Sequence, residues 1–309
     1  MTRNELMNEK KKVSILVGIC SGQGLEERRN AVRDSWLRHP QEGVECLFFI
    51  GGEAAEEERG DTVGLDAPDT YNGLPAKVLA FFRYGLEHYD FDWIFKCDDD
   101  TYLDLSRLPE LADSRYGLIG DALLGERKAP SGGAGYFLSR AVVEEIAARP
   151  DVPLTGAEDL IFGKLALETG AEYLVTPRLF LSNVRYPLPD NDTVTAHWCI
   201  PSVLRAMDVL RHGTPAAVYR GIHPHWDDSF LFYREGVFRR ASSPDFGWWK
   251  LGGETRDTLT LAWKRWDPME LEWKGENFQG PSVTLARLDG SRSLWELPPP
   301  DEGALESFC

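Results

Sequence analysis

Long apolar runs are missing from this sequence. No stretch of its 309 residues is long and apolar enough to span a bilayer as a helix. Met1 to Lys12 is polar and charged and lacks the apolar core of a signal peptide. The expectation is a cytoplasmic protein, with peripheral membrane association as its only membrane contact. Cysteine is scarce and odd in number, at positions 20, 46, 97, 199 and 309, with no Cys-x-x-Cys pair. That argues against a disulfide framework or a zinc cluster and points to reduced thiols. Basic charge is short as well: 34 Lys and Arg face 50 Asp and Glu, a formal net charge of -16. Such a surface argues against binding nucleic acid polymers through bulk charge, but not against a nucleotide held by a metal and a few local cations.

What is present suits a globular protein with a sizeable core, 42% hydrophobic and 27% charged, of one large domain or two smaller ones. Val13 to Cys20 is nearly all apolar, as in a central strand buried on both faces. Glu26 to Arg38 reads as a helix with Val32 and Trp36 on one face, and Trp36 as core. Val44 to Gly51 is a second buried strand; Gly51 to Pro68 reads as acidic loop or short helix. Pro75 opens a helix with Val78, Phe82, Leu86 and Tyr89 at helical spacing. This leads into a third strand around Trp93 to Phe95. Strand, helix, strand, helix, strand implies an α/β fold, a parallel sheet with helices on both faces. Ligands in such sheets collect at the carboxyl ends of strands.

Further on, Leu118 to Asp121, Gly135 to Leu138 and Tyr173 to Val175 read as strands, and Ala141 to Ala148 and Pro201 to His212 as helices. From Thr214 the character changes. Tryptophan becomes dense, and Thr258 to Trp263 and Ser282 to Val283-Thr-Leu285 alternate. Residues 214–309 read as a small β-rich antiparallel module after a first domain of residues 1–213. Its tryptophans read as core, although aromatic faces also suit sugar rings. The tail from Pro298 reads as flexible.

The third strand ends in Asp98, Asp99 and Asp100. Adjacent carboxylates repel one another, and desolvating them calls for a cation. Oxygen ligands of this kind suit magnesium or manganese shared with substrate phosphates. The alternative is a solvated acidic turn. Glu158 and Asp159 stand in the first turn of a helix, where acids also stabilise the N-terminus electrostatically. His223 and His225, beside Asp227 and Asp228, form a second combination able to bind metal.

Four segments in order resemble one family. Arg29-Asn-Ala-Val-Arg33-Asp-Ser-Trp36 looks like its arginine-rich helix. Lys96-Cys-Asp-Asp-Asp-Thr-Tyr looks like its metal motif. Ser131-Gly-Gly-Ala-Gly135-Tyr-Phe-Leu-Ser139 looks like its glycine loop, and Glu158-Asp-Leu-Ile-Phe-Gly163 like its acidic motif. The family is the β-1,3-glycosyltransferase group that includes β-1,3-galactosyltransferases, β-1,3-N-acetylglucosaminyltransferases and Fringe. The resemblance covers about residues 13 to 212.

It implies a GT-A-like nucleotide-binding sheet, a UDP-sugar donor, a glycan or glycolipid acceptor, manganese or magnesium, and an inverting transfer. By similarity Asp100 ligates the metal, and Asp98 or Asp99 holds the ribose or a metal-bound water. Asp98 and His197 are the further metal candidates, His197 standing just before the helix at Pro201. Asp159 is the base that takes the acceptor proton, with Glu158 the second choice. Arg29, Arg33 and Lys77 are donor contacts; for Arg33 an ion pair with a neighbouring acid is the alternative. Cys20 and Ser21 sit where relatives contact uracil. Gly133 and Gly135 let backbone approach the sugars, or serve a tight turn. Animal relatives carry an N-terminal membrane anchor and luminal disulfides. Neither shows in this sequence, which favours a bacterial-type cytoplasmic enzyme.

Overall fold

A computed structural model describes residues 10–52, 60–121, 129–182, 184–189 and 191–298. Strand β1 (Lys11–Cys20) is the apolar run expected, with Ile15, Leu16, Val17 and Ile19 each at most 1% exposed. Both of its faces are therefore buried, as an uninterrupted apolar strand requires. Helix α1 (Glu26–Arg33) stops short of the expected Arg38. The Ser35 hydroxyl turns back to donate to the Ala31 and Val32 carbonyls. This competes with the helical ladder. A single 3-10 turn follows, Trp36–Arg38, and Trp36 is buried as expected.

Next come β2 (Val44–Gly51), β3 (Thr62–Leu65), α2 (Leu74–His88) and β4 (Tyr89–Asp98). Strand β3 lies in the stretch read as acidic loop, and residues 53–59 of that stretch fall outside the described residues. After β4 come β5 (Tyr102–Leu103), β6 (Leu118–Gly120), β7 (Tyr136–Ser139), α3 (Arg140–Ala148), α4 (Glu158–Glu168) and β8 (Tyr173–Val175). Seven strands form one sheet in the order β3-β2-β1-β4-β7-β6-β8. Only β7 runs against its neighbours, so the sheet is mixed rather than purely parallel.

Helices α2, α3 and α4 pack on one another and share a core with the sheet face that carries Leu16 and Ile94. Gly18 of β1 lets the Phe81 ring of α2 come close; a Cβ there would lie 2.2 Å from it. Two short strands, β9 (Leu179–Phe180) and β10 (Thr195–Ala196), join β5 in a small second sheet. Strand β5 follows closely on Asp98, Asp99 and Asp100, and β10 ends directly before His197.

The chain divides by its contacts into residues 1–204 and 205–309, a division that falls inside α5 (Pro201–His212) and ahead of Thr214. The second unit is antiparallel and β-rich, as read from its alternation, but larger than a few hairpins. Eight strands close into a barrel: β11 (Ala217–His223), β12 (Trp226–Phe232), β13 (Val237–Arg240), β14 (Phe246–Gly252), β15 (Thr258–Trp263), β16 (Met269–Trp273), β17 (Asn277–Gln279) and β18 (Thr284–Arg287). Pairing of β11 with β18 closes it, which leaves no sheet edge. Tyr219, Phe232, Trp249, Leu259, Leu261, Leu271, Phe278 and Leu285 form its core, none more than 1% exposed. Trp248 and Trp249 are core, as expected, while Trp266 is 64% exposed. The tail residues 299–309, including Cys309, lie outside the described residues. The other four cysteines form no disulfide among the described residues.

Candidate active site

The carboxyl ends of β1 and β4 lie side by side, Cys20 opposite Asp98, and the Asp99 amide donates to the Cys20 carbonyl. This register brings the aspartates beside Ser21. The Ser21 hydroxyl donates to Asp99 Oδ2 at 2.7 Å, and Arg28 reaches Asp99 Oδ1 at 3.2 Å and Asp100 Oδ2 at 3.4 Å. Burial pushes the Asp99 carboxyl above its ordinary pKa despite these partners. Asp98 goes the other way. Burial pushes it up, but the Lys96 ammonium at 2.6 Å, with His197 and Lys77, holds it below the ordinary carboxylate value.

A cavity of about 610 Å³ opens over these groups. Cys20, Ser21, Lys77, Asp98, Asp99, Asp100, Gly133, Glu158, Asp159 and His197 all line it. Asp98, Asp100 and His197 each offer a ligand atom, and these atoms all lie within 4.8 Å of one another. His197 Nε2 is 3.0 Å from Asp100 Oδ1 and 3.9 Å from Asp98 Oδ2. Asp100 Oδ1 is buried and accepts no aligned hydrogen bond; the His197 ring nitrogen is close to it but not in hydrogen-bond geometry. A buried carboxylate oxygen that accepts no aligned hydrogen bond is costly unless a cation meets it. Two carboxylates and one imidazole are a fitting donor set for a divalent metal of the manganese or magnesium kind.

Helix α4 begins with Glu158 and Asp159, which line the same cavity. The two acids differ in what they touch. Glu158 is 5% exposed, accepts from the Tyr136 hydroxyl, and meets Lys96 at 3.4 Å. Burial pushes its carboxyl above its ordinary value, opposed by Lys96 and Tyr136. Asp159 is half-buried, held by the Leu160 amide at 2.8 Å and the Gly132 amide at 3.3 Å. Of the two, Asp159 is the acid open to a second substrate; Glu158 is bound into the wall and does not suit the role of base.

Several sequence expectations change. Arg33 does not face the cavity. Its guanidinium makes a two-pronged pair with Asp61 and lies over the Phe48 ring, the ion pair named as the alternative. Arg29 is buried beneath the cavity and donates to the Ser21 hydroxyl and the Gly22 carbonyl, so it shapes the β1 terminus rather than offering a free cation. Lys77 lines the cavity, but its ammonium is held by the Ser21 carbonyl at 2.6 Å and Asp69 at 2.8 Å. Gly133 is small for His197: a Cβ there would lie 2.0 Å from the imidazole. Gly135 has φ +94° and packs against Phe95, away from the cavity lining.

Three contributors were missed. Lys96, 1% exposed, links Asp98, Glu158 and the Gly132 carbonyl. Tyr136 supports Glu158, and Arg28 is the cation that reaches Asp99 and Asp100. Lys96 and Tyr136 stood inside quoted motifs, so their sequence neighbourhood was a signal. Arg28 had none beyond its place on α1. The rival pair does not assemble a metal site. His223 stacks on Trp226, Asp227 pairs with Arg220, and Asp228 with Arg240 and Ser242.

Residues 27–120 match the family model described as Galactosyltransferase. A Xenopus laevis glycoprotein-N-acetylgalactosamine 3-beta-galactosyltransferase 1 is 31% identical over 140 residues, 42% of this chain and 37% of its own length. An Arabidopsis thaliana probable beta-1,3-galactosyltransferase 13 is 31% identical over 136 residues, 37% of this chain and 40% of its own. Mouse beta-1,3-galactosyltransferase 6 is 35% identical over 113 residues, 31% of this chain and 35% of its own. The chain thus spans about two-fifths or less of the length of these curated relatives. A solved Drosophila beta1,4galactosyltransferase 7 catalytic domain aligns with 62% of this chain and 71% of its own, at 15% identity and a TM-score of 0.38. The class these sequence matches define is that of glycosyltransferases. Within it, the family resemblance read from the motifs is borne out over residues 27–120, the stretch that matches the galactosyltransferase model.

Proposed function

We propose that this protein moves a hexose or N-acetylhexosamine, with galactose favoured, from a UDP-sugar to a glycan hydroxyl, inverting the anomeric centre and forming a β-1,3 linkage. The observation that carries the reading is the convergence of Asp98, Asp100 and His197 in one cavity that Asp159 also lines. A divalent cation held by the first three would supply Lewis-acid charge for the departing diphosphate. The chain's own residues do the rest. Arg28, with its side chain 42% exposed, is placed to add positive charge on the phosphate side. Asp99 and Ser21, held together at 2.7 Å, offer acceptors to a ribose at the end of β1. Asp159 takes the proton of the acceptor hydroxyl, and the Gly132 and Leu160 amides orient its carboxylate for this. A GT-A-like reading of the sheet, the glycan or glycolipid acceptor and the cytoplasmic setting belong to the same proposal.

The test is UDP release by the purified protein across UDP-sugars and glycan acceptors, with manganese, with magnesium and with chelator. The expected result is metal-dependent release, lowered by about two orders of magnitude or more in Asp159→Asn and abolished in Asp100→Ala. Equal release from Asp159→Asn would remove the assigned base. No release from any pair of substrates sinks the reading.

A further inference from the structure

The barrel has a cavity of its own, about 620 Å³, where the hairpin between β16 and β17 turns and β18 ends. Trp273, the last residue of β16, and Trp295, in a short turn at Leu294–Glu296, form part of its wall, with Tyr219 of β11. The indoles are held in place. They meet edge to face at 4.8 Å, both pack on the buried Phe278, and Trp295 Nε1 donates to the Arg256 carbonyl at 2.8 Å. Each remains only half-buried.

Polar side chains that the barrel itself does not use border these rings. Asn277, Arg287 and Asp289 line the cavity, with Glu276 beside them. None of the four side chains makes a hydrogen bond or ion pair with another described residue. The turns that carry them contain Gly275 and Gly290, both at positive φ, where an added Cβ would meet nothing within 4 Å, so the mouth stays open.

Rigid aromatic surface edged by an unused amide, carboxylates and a guanidinium complements a ring with apolar C–H faces and a rim of hydroxyls. Two acids against one base make the mouth slightly acidic, which disfavours phosphate or sulfate esters. We propose that the barrel binds a short neutral oligosaccharide in this cavity, through residues separate from those of the transfer site. The inference does not rest on the proposed transfer activity, since none of its residues belongs to that cavity.

The experiment is calorimetric titration of the full chain, in chelator and without nucleotide, with lactose, cellobiose, maltose and chitobiose. Variants are Asn277→Ala, Asp289→Ala and, for the transfer site, Asp100→Ala. The two barrel side chains have no partner among the described residues to lose, so unchanged melting is expected and is checked first. The expected result is saturable binding of at least one disaccharide, weakened about tenfold in each barrel variant and unchanged in Asp100→Ala. Absence of saturable binding by all four sugars overturns the proposal. So does binding that the barrel variants leave unaltered.

Discussion

Gly133 shows how one missing side chain serves another residue's chemistry. A methyl group at this position would lie 2.0 Å from the His197 ring, which is itself 7% exposed and has little room to retreat. Gly133→Ala is therefore expected to displace the imidazole and weaken manganese binding by about 10–100-fold, read by calorimetry, while Asp98 and Asp100 remain. From the sequence, Gly133 read as a place for sugar to approach backbone. The collision with His197, 64 positions away, exists only after folding. Arg33 makes the same point. Its helix position was legible, but its partner Asp61 was not. Burial pushes the Asp61 carboxyl up, but the two hydrogen bonds from Arg33 and its charge outweigh that and hold the folded value below the ordinary one. A carboxylate depressed on folding stabilises above its unfolded pKa, and that stability is lost as pH falls through the folded value. Asp61→Asn should thus cost about 1 kcal/mol at neutral pH. Denaturant titrations should show the difference shrinking below about pH 4.

Among the elements, β1 and α2 were the clearest in sequence because each satisfies its own period: continuous apolar residues in one, helical spacing after Pro75 in the other. Their fit was not visible. Gly18 leaves a notch that the Phe81 ring fills, and Phe81 in turn stacks on Phe49 of β2 at 4.5 Å. Gly18→Ala places a Cβ 2.2 Å from that ring, in a core with 0% exposure at Phe81. The overpacking is expected to cost about 1–3 kcal/mol in thermal or denaturant unfolding. Strand β3 was missed because four residues with partly buried faces offer too few positions for a period to emerge. Helix α1 ended early for a reason written in one side chain, Ser35, whose competing hydrogen bonds no periodicity records. Strand β15 was legible by its alternation, Leu259 and Leu261 at 0% exposure on one face. The three-residue β17 was not.

For the molecule as a whole, the excess of acid makes a bound cation more consequential. Manganese added with UDP should raise the melting temperature, because whatever binds only the folded state stabilises it. At a ligand concentration about 100 times the dissociation constant, the gain is about 2.7 kcal/mol. Differential scanning fluorimetry should show the shift in the native chain and lose it in Asp100→Ala; an equal shift in both would place the cation elsewhere. The amino-acid sequence by itself determined the β-α order of the first unit, the acids at the end of β4 and the start of α4, and the β character of the second. These follow from local period, chain direction and motif order, which neighbouring residues encode. Tertiary structure alone decided that β7 runs antiparallel, that β11 pairs with β18 to close a barrel, and that Arg28 rather than Arg33 reaches the aspartates. Those outcomes depend on pairing and packing between residues far apart in the chain, where register and steric fit act only once the backbone is in place.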